Sequence, residues 1–146
     1  MNDYQIMNER QHEEFNTLPI GAAFSSEQFE EMMKGWGLDA NKDLDKIVHL
    51  VAGAYIQKKD LPAYKEMAKR QTKEFEDAIA TDQTGEGFIY QMFLYELKNH
   101  EYGYTGDVEE TLDALGYDAD DIMKDTRLAR GLEKAAAEIR NHDCFD

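Results

Sequence analysis

Residues 87–107 read GFIYQMFLYELKNHEYGYTGD, and their reading decides how this chain of 146 residues folds. The first part, FIYQMFLYELKN (88–99), is apolar nearly all round: Phe88, Ile89, Tyr90, Met92, Phe93, Leu94, Tyr95 and Leu97. A buried strand and a central helix both fit such a run. A length near 12, with Gln91, Met92, Leu94, Glu96, Leu97 and Lys98 as good helix formers, favours the helix. A helix that is hydrophobic on every side belongs at the centre of a domain. The second part, HEYGYTGD (100–107), reads as a loop because of Gly103 and Gly106.

Working outward, the C-terminal side predicts three more helices. VEETLDAL (108–115) follows Thr105 or Asp107 as cap and ends at Gly116. DADDIM (118–123) is a short helical turn. RLARGLEKAAAEIRN (127–141) follows Asp125 or Thr126 and places Leu128, Leu132, Ala135 and Ile139 on one face. On the N-terminal side, LPAYKEMAKRQTKEFEDAIA (61–80) is a helix with Asp60 as cap and Pro62 in the first turn, where a missing N–H costs nothing. Residues 2–16 form an amphipathic helix that stops before Pro19. SSEQFEEMMKGWG (25–37) forms another, capped by Ser25 or Ser26. In residues 42–57, Leu44, Ile47, Val48, Val51 and Tyr55 follow helical spacing, so a helix over 42–51 is expected, although IVHLV also fits a strand. The predicted fold is all-α: a compact single domain (1–146) of about six helices. The stretches near residues 20–24 and 53–57 can pair as a short two-stranded β piece. Phe88, Met92, Phe93, Leu97, Leu112, Leu128 and Leu132 are the expected core.

Composition narrows the function classes. Eight Tyr, seven Phe and seven Met argue against disorder. The formal net charge of −15 repels nucleic acid and the anionic face of a membrane, and it attracts basic partners. The N-terminal residues 1–16 carry charges throughout, so neither a signal peptide nor a membrane span is expected there. A lone cysteine, Cys144, allows no disulfide within the chain. It is expected to lie in a frayed tail. Together these point to the cytoplasm, or the host cytoplasm for a phage-encoded chain.

Three constellations carry candidate chemistry. Glu96 and His100 stand four residues apart on one helix face, with Asp107 beyond the loop. That donor set suits zinc, iron or manganese. The competing reading is a histidine that closes the helix end, where a cation is favoured. Tyr102 and Tyr104 flank Gly103, either as anchors for a protein partner or as rings folded onto the core. The third constellation is an acidic tract over residues 101–121. It contains Glu101, Asp107, Glu109, Glu110, Asp113, Asp118, Asp120 and Asp121, with no Lys or Arg among them. On a helix Glu109 and Asp113 are neighbours about 6 Å apart, a spacing similar in scale to that of phosphates along a DNA strand. Glu13, Glu14, Glu27, Glu30 and Glu31 could extend such a face. The competing reading is a solvated surface that keeps the protein soluble. Nucleophilic catalysis has little to work with, since Ser25 and Ser26 sit at a helix cap. No cofactor is expected.

FSSEQFEEMMKGWGL, GAYIQKKDLPAYKEM, TGEGFIYQMFLYELKNHEYGYTGDVEETLDALGY and RLARGLEKA resemble a family of small acidic proteins of unknown function, from phages and other mobile elements of gut Firmicutes. The resemblance spans about residues 24–137, and NHEYGYTGD is its most specific part. It implies a setting and no catalytic residues. In style it is anti-CRISPR-like. The expected function is therefore an acidic protein-binding module that inhibits a host nucleic-acid-binding defence effector by nucleic-acid mimicry. Tyr102, Tyr104, Asp107, Glu109, Glu110, Asp113, Asp120 and Asp121 would face the basic groove of that partner, with no direct contact to nucleic acid or membrane. The alternatives are a small metal-binding protein or enzyme built on Glu96 and His100, and a non-inhibitory accessory protein of a mobile element.

Overall fold

The computed structural model describes residues 2–143, so Cys144 lies outside the described residues. Among these, eight α-helices and three short strands follow one another as α1 (Asp3–Asn16), β1 (Ile20–Ala22), α2 (Ser26–Gly35), β2 (Ile47–His49), β3 (Ala54–Gln57), α3 (Leu61–Thr81), α4 (Phe88–Asn99), α5 (Tyr102–Thr105), α6 (Glu109–Leu115), α7 (Ala119–Lys124) and α8 (Thr126–Asp143). The fold is mostly helical with a small antiparallel sheet, where the sequence alone predicts an all-α domain. The chain divides into two compact units. Unit 1 comprises Met1–Glu9 and Lys73–Asp146, and unit 2 is Arg10–Thr72. Helices α1 and α3 each contribute residues to both.

Unit 2 holds the sheet, in the order β1-β3-β2. Ile20 pairs with Ile56 and Ala22 with Ala54. On the other side Val48 pairs with Ile56 and His49 with Tyr55. Ile56 in the central strand is fully buried, as is Met33 of α2. Helix α2 starts as expected: the Ser25 hydroxyl accepts the Gln28 N–H at 3.2 Å. The helix expected over 42–51 is absent. A single 3-10 turn, Leu44–Lys46, leads directly into β2. Two local causes are visible. The Asp39 carboxylate accepts the N–H groups of Asn41 and Lys42, and Asp43 accepts the Asp39 N–H, which ties residues 39–43 into side-chain turns that compete with a helix. Ile47 and Val48 are then β-branched and find a pairing strand in β3.

The β2–β3 hairpin closes through residues 51–54, where the Ala54 N–H donates to the Val51 carbonyl at 2.7 Å. The central residues, Ala52 at φ 35° and Gly53 at φ 81°, are both left-handed. That is the tight turn whose twist matches paired strands, and it favours Asn-Gly over Ala-Gly. Ala52→Asn should therefore raise stability by about 0.5–1 kcal/mol, read as a higher thermal midpoint. An unchanged or lower midpoint would show that the turn does not limit stability.

In unit 1, α4 is the central helix, as its all-round apolarity predicts. Ile89, Met92, Phe93 and Leu97 are fully buried, and α4 packs most extensively on α8. Tyr4, Met7, Tyr102, Leu112, Leu128, Ala135, Ala136 and Ile139 complete the buried cluster, with Phe88 and Leu132 partly buried against it. Tyr4 meets Phe88 edge-on at 5.9 Å, and Phe75 meets Phe88 at 6.2 Å.

The connection between α3 and α4 is built around one carboxylate. Asp82 accepts the N–H groups of Thr84 (3.2 Å) and Gly85 (2.9 Å) on one oxygen and those of Gly87 (3.1 Å) and Ile89 (2.9 Å) on the other. It thus satisfies donors at the start of α4, where Gly87 offers no side chain of its own. Arg127 at the start of α8 closes the end of α3: its Nη1 donates to the carbonyls of Ile79 (2.9 Å) and Asp82 (2.8 Å). The Asp125 carboxylate pairs with the same guanidinium, which pushes the Arg127 pKa up and holds the Asp125 carboxyl below the usual range.

Candidate functional site

The segment 100–107 is not a loop throughout. Tyr102–Thr105 forms one helical turn, bracketed by Glu101 at φ 58° and Gly106 at φ 67°. The turn separates the two tyrosines. Tyr102 is only 6% exposed, and its hydroxyl accepts a hydrogen bond from Arg140 Nη1 at 2.8 Å. The ring belongs to the core, so Tyr102 is not available as a partner anchor. Tyr104 is 93% exposed. It borders a cavity of about 340 Å³ lined by Lys98, Glu101, Gly103, Glu138, Ile139 and His142.

All eight acids over 101–121 are exposed. They are not equivalent. Asp118 and Asp121 form a reciprocal cap at the start of α7, each accepting the other's backbone N–H at about 3 Å. Asp107 accepts the Glu109 N–H at 2.9 Å, and Asp120 pairs with Lys124 at 3.5 Å. Glu109 and Asp113 lie one turn apart on α6, whose other side buries Thr111 and Leu112. Of the acids considered as extensions of this face, Glu13, Glu14, Glu27, Glu30 and Glu31 belong to unit 2. Glu14 is already paired: Arg70 bonds it at 2.8 Å and holds its carboxyl below the usual range.

The boundary between units reveals a charge division that composition alone hides. Unit 1 carries 21 acidic and 7 basic residues, a formal net charge of −14. Unit 2 carries 10 acidic and 9 basic residues, a net charge of −1. Nearly all of the chain's excess charge therefore belongs to the unit that bears Tyr104, α6 and α7.

Glu96 and His100 do meet. Glu96 is 8% exposed; its Oε1 accepts the Tyr4 hydroxyl at 2.7 Å, and its Oε2 lies 3.4 Å from His100 Nε2. Burial, together with the neighbouring Glu96 carboxylate, pushes the Tyr4 phenol far above its usual value, so it remains a donor. The next acid at His100 is Glu110, 3.9 Å from Nδ1, and not Asp107. Among the described residues no three His, Cys, Asp or Glu side chains come together in a way that could hold a metal ion. The Glu96 carboxylate locks the start of α1 onto α4.

Sequence reasoning misses a second concavity, in unit 2. It has a volume of about 760 Å³ and is lined by Phe24, Phe29, His49 and Tyr55 among smaller residues. Its aromatic residues come from two separate segments, 24–29 and 49–55, and the β2–β3 pairing brings His49 to Tyr55, ring centroids 4.7 Å apart.

No helix among the described residues is long and apolar enough to cross a membrane. Neither a curated protein nor a solved structure matches the chain. One family model does, over residues 3–138. The chain belongs to that family, described as a family of unknown function (DUF7659).

Proposed function

We propose that the protein is an acidic protein-binding module, and that it serves a phage or other mobile element as an anti-CRISPR-like inhibitor of a host nucleic-acid-binding defence effector. The observation that carries this reading is the charge division: a net −14 in unit 1, with eight exposed acids over residues 101–121. Such a unit repels nucleic acid and is drawn to the basic groove that would otherwise hold it, so it occupies the groove by mimicking the phosphate charge. Charge supplies rate and selectivity, while apolar anchors supply much of the affinity. Tyr104 is the exposed ring beside the acids and takes the anchoring part first assigned to two tyrosines. Glu109, Glu110 and Asp113 on α6 present the charge, with Asp107 and Asp121 also accepting local backbone N–H groups and Asp120 also pairing with Lys124.

The test is capture from a lysate of a bacterial host at about 0.1 M and about 0.5 M salt, across which the Debye length falls from about 10 Å to roughly half. A nucleic-acid-binding protein should be captured at low salt and displaced by added DNA or RNA. Glu109→Lys combined with Asp113→Lys should weaken that capture about tenfold or more and leave the thermal midpoint nearly unchanged, since both side chains are exposed. Capture that survives this double reversal would remove α6 from the binding face.

A further inference from the structure

We propose that the cavity beside Tyr104 receives an arginine side chain of the basic partner. The inference rests on the acidic-module reading and adds to it the chemistry of one contact. The cavity, of about 340 Å³, is lined wholly by unit 1 residues. It lies where two helices end: Lys98 stands in the last turn of α4 and His142 in the last turn of α8. Carbonyls without helical partners make such ends negative, so both favour a positive charge. Lys98 answers part of that demand, but two carboxylates line the same space, Glu101 from the α4–α5 junction and Glu138 from α8. Among the described residues neither carboxylate is held in an ion pair. The net charge of −14 on unit 1 adds a wider field of the same sign.

The rest of the lining selects arginine among cations. Tyr104 offers an exposed aromatic ring, and Ile139, nearly buried, offers apolar surface. A planar guanidinium can lie on a phenol ring and bond a carboxylate at once, while its methylenes cover an apolar side chain; a lysine ammonium bonds as a point charge and does not stack. Glu101 supplies an independent observation. Among the described residues it is one of two non-glycine residues in the left-handed region, at φ 58°. Asparagine or glycine adopts that conformation at lower cost. A glutamate there accepts local strain and places a carboxylate at the cavity, and such strain gathers at binding sites.

Titration of the full chain with Nα-acetyl-arginine methylamide, followed by backbone amide NMR in about 0.15 M salt, tests this. The signals of Glu101, Gly103, Tyr104 and Ile139 should shift and saturate with a dissociation constant of about 1–10 mM. The matching citrulline amide, similar in shape and uncharged, should leave them in place, and the lysine amide should bind severalfold more weakly. Glu101→Asn should raise the thermal midpoint, because asparagine suits the left-handed turn, and yet weaken arginine binding about fivefold or more. Glu138→Gln should weaken binding by a similar factor with the midpoint unchanged. Glu109→Lys with Asp113→Lys, on α6, should change it less than about twofold at this salt. Shifts spread evenly over the acids of α6 and α7, or binding indifferent to Glu101→Asn, would overturn the proposal. So would capture of a nucleic-acid-binding protein that is undiminished in Glu101→Asn and Tyr104→Ala, a result that leaves the acidic-module reading standing. Saturable arginine binding at the cavity without such capture would support the site and count against that reading, so the two fail separately.

Discussion

Gly85→Ala should cost unit 1 about 3 kcal/mol or more, through two additive strains. Gly85 sits at φ 88°, where a side chain is unfavourable by about 1–2 kcal/mol. A Cβ there would also lie 2.1 Å from the backbone carbonyl oxygen of Arg127, and backbone at a helix start cannot swing aside as a side-chain end can. Gly131 in α8 completes the same contact: its Cβ would meet the Gly85 carbonyl oxygen at 2.6 Å, Ile89 Cγ2 at 2.6 Å and the Tyr90 nitrogen at 3.2 Å. Gly131→Ala gains about 1 kcal/mol of helix propensity, yet the overlap outweighs it, and a net loss of about 2 kcal/mol is expected. For a chain of this size the thermal midpoint of Gly85→Ala should fall by roughly 10 °C. The two glycines serve one close approach, so the double variant should cost less than the sum of the single changes. Full additivity, or a Gly131→Ala variant more stable than the parent, would mean that α8 does not approach the α3–α4 connection this closely.

These glycines mark where sequence reading stops. The spacing of apolar residues identifies α1, α2, α3 and α8, because each buries one face; α4 is identified by its length and helix-forming residues, and α6 by its cap and closing glycine. The rank of α4 as central element follows from residues 88–99 alone. The pairing of residues near 22 with those near 54 is also legible, and β1 and β3 do pair. Residues 42–51 mislead because Leu44, Ile47, Val48 and Val51 match helical spacing, while Asp39 and Asp43 remove the preceding backbone from helix. In HEYGYTGD the glycines disguise a helical turn. Nothing local tells that Tyr102 is buried, since its partner Arg140 is 38 residues away. The acids are countable in sequence, but their concentration in unit 1 is not. The unit boundary falls inside α1 and α3 and leaves no linker to read. The TDQTGEG stretch reads as a simple closure, although an Asp followed by Thr, two Gly and a helix start is the composition of a carboxylate cradled by backbone donors.

That carboxylate supports the second large effect: Asp82→Asn should destabilise the protein by about 3 kcal/mol near neutral pH and by much less in acid. Partial burial is the largest single influence on Asp82 and works against its charge. The N–H groups of Ile89, Gly85, Thr84 and Gly87 together outweigh it and hold the carboxyl below the usual range. An asparagine keeps one acceptor oxygen but turns an NH₂ toward two of those donors, leaving backbone N–H groups at the start of α4 without a partner. The sign with pH follows from the direction of the shift. The folded-state pKa lies below the unfolded value of about 3.9. The stabilisation is therefore fully present above that value and disappears as pH falls through the folded pKa. Thermal midpoints of parent and Asp82→Asn should differ most at pH 6–7 and draw together in acid as pH falls through the lowered folded-state pKa of Asp82, below which both side chains are neutral. A difference that stays constant across this range would show that the role of Asp82 is one of shape alone. A difference confined to acid would reverse the assigned direction of the shift. Because Asp82 also offers its carbonyl to Arg127, the same experiment on Arg127→Ala gives a control: that variant loses the closure of α3 but keeps the cradled carboxylate. Its deficit should shrink only in part at low pH, by the share that comes from the pairing with Asp125, and keep the share that comes from the α3 carbonyls, while that of Asp82→Asn fades.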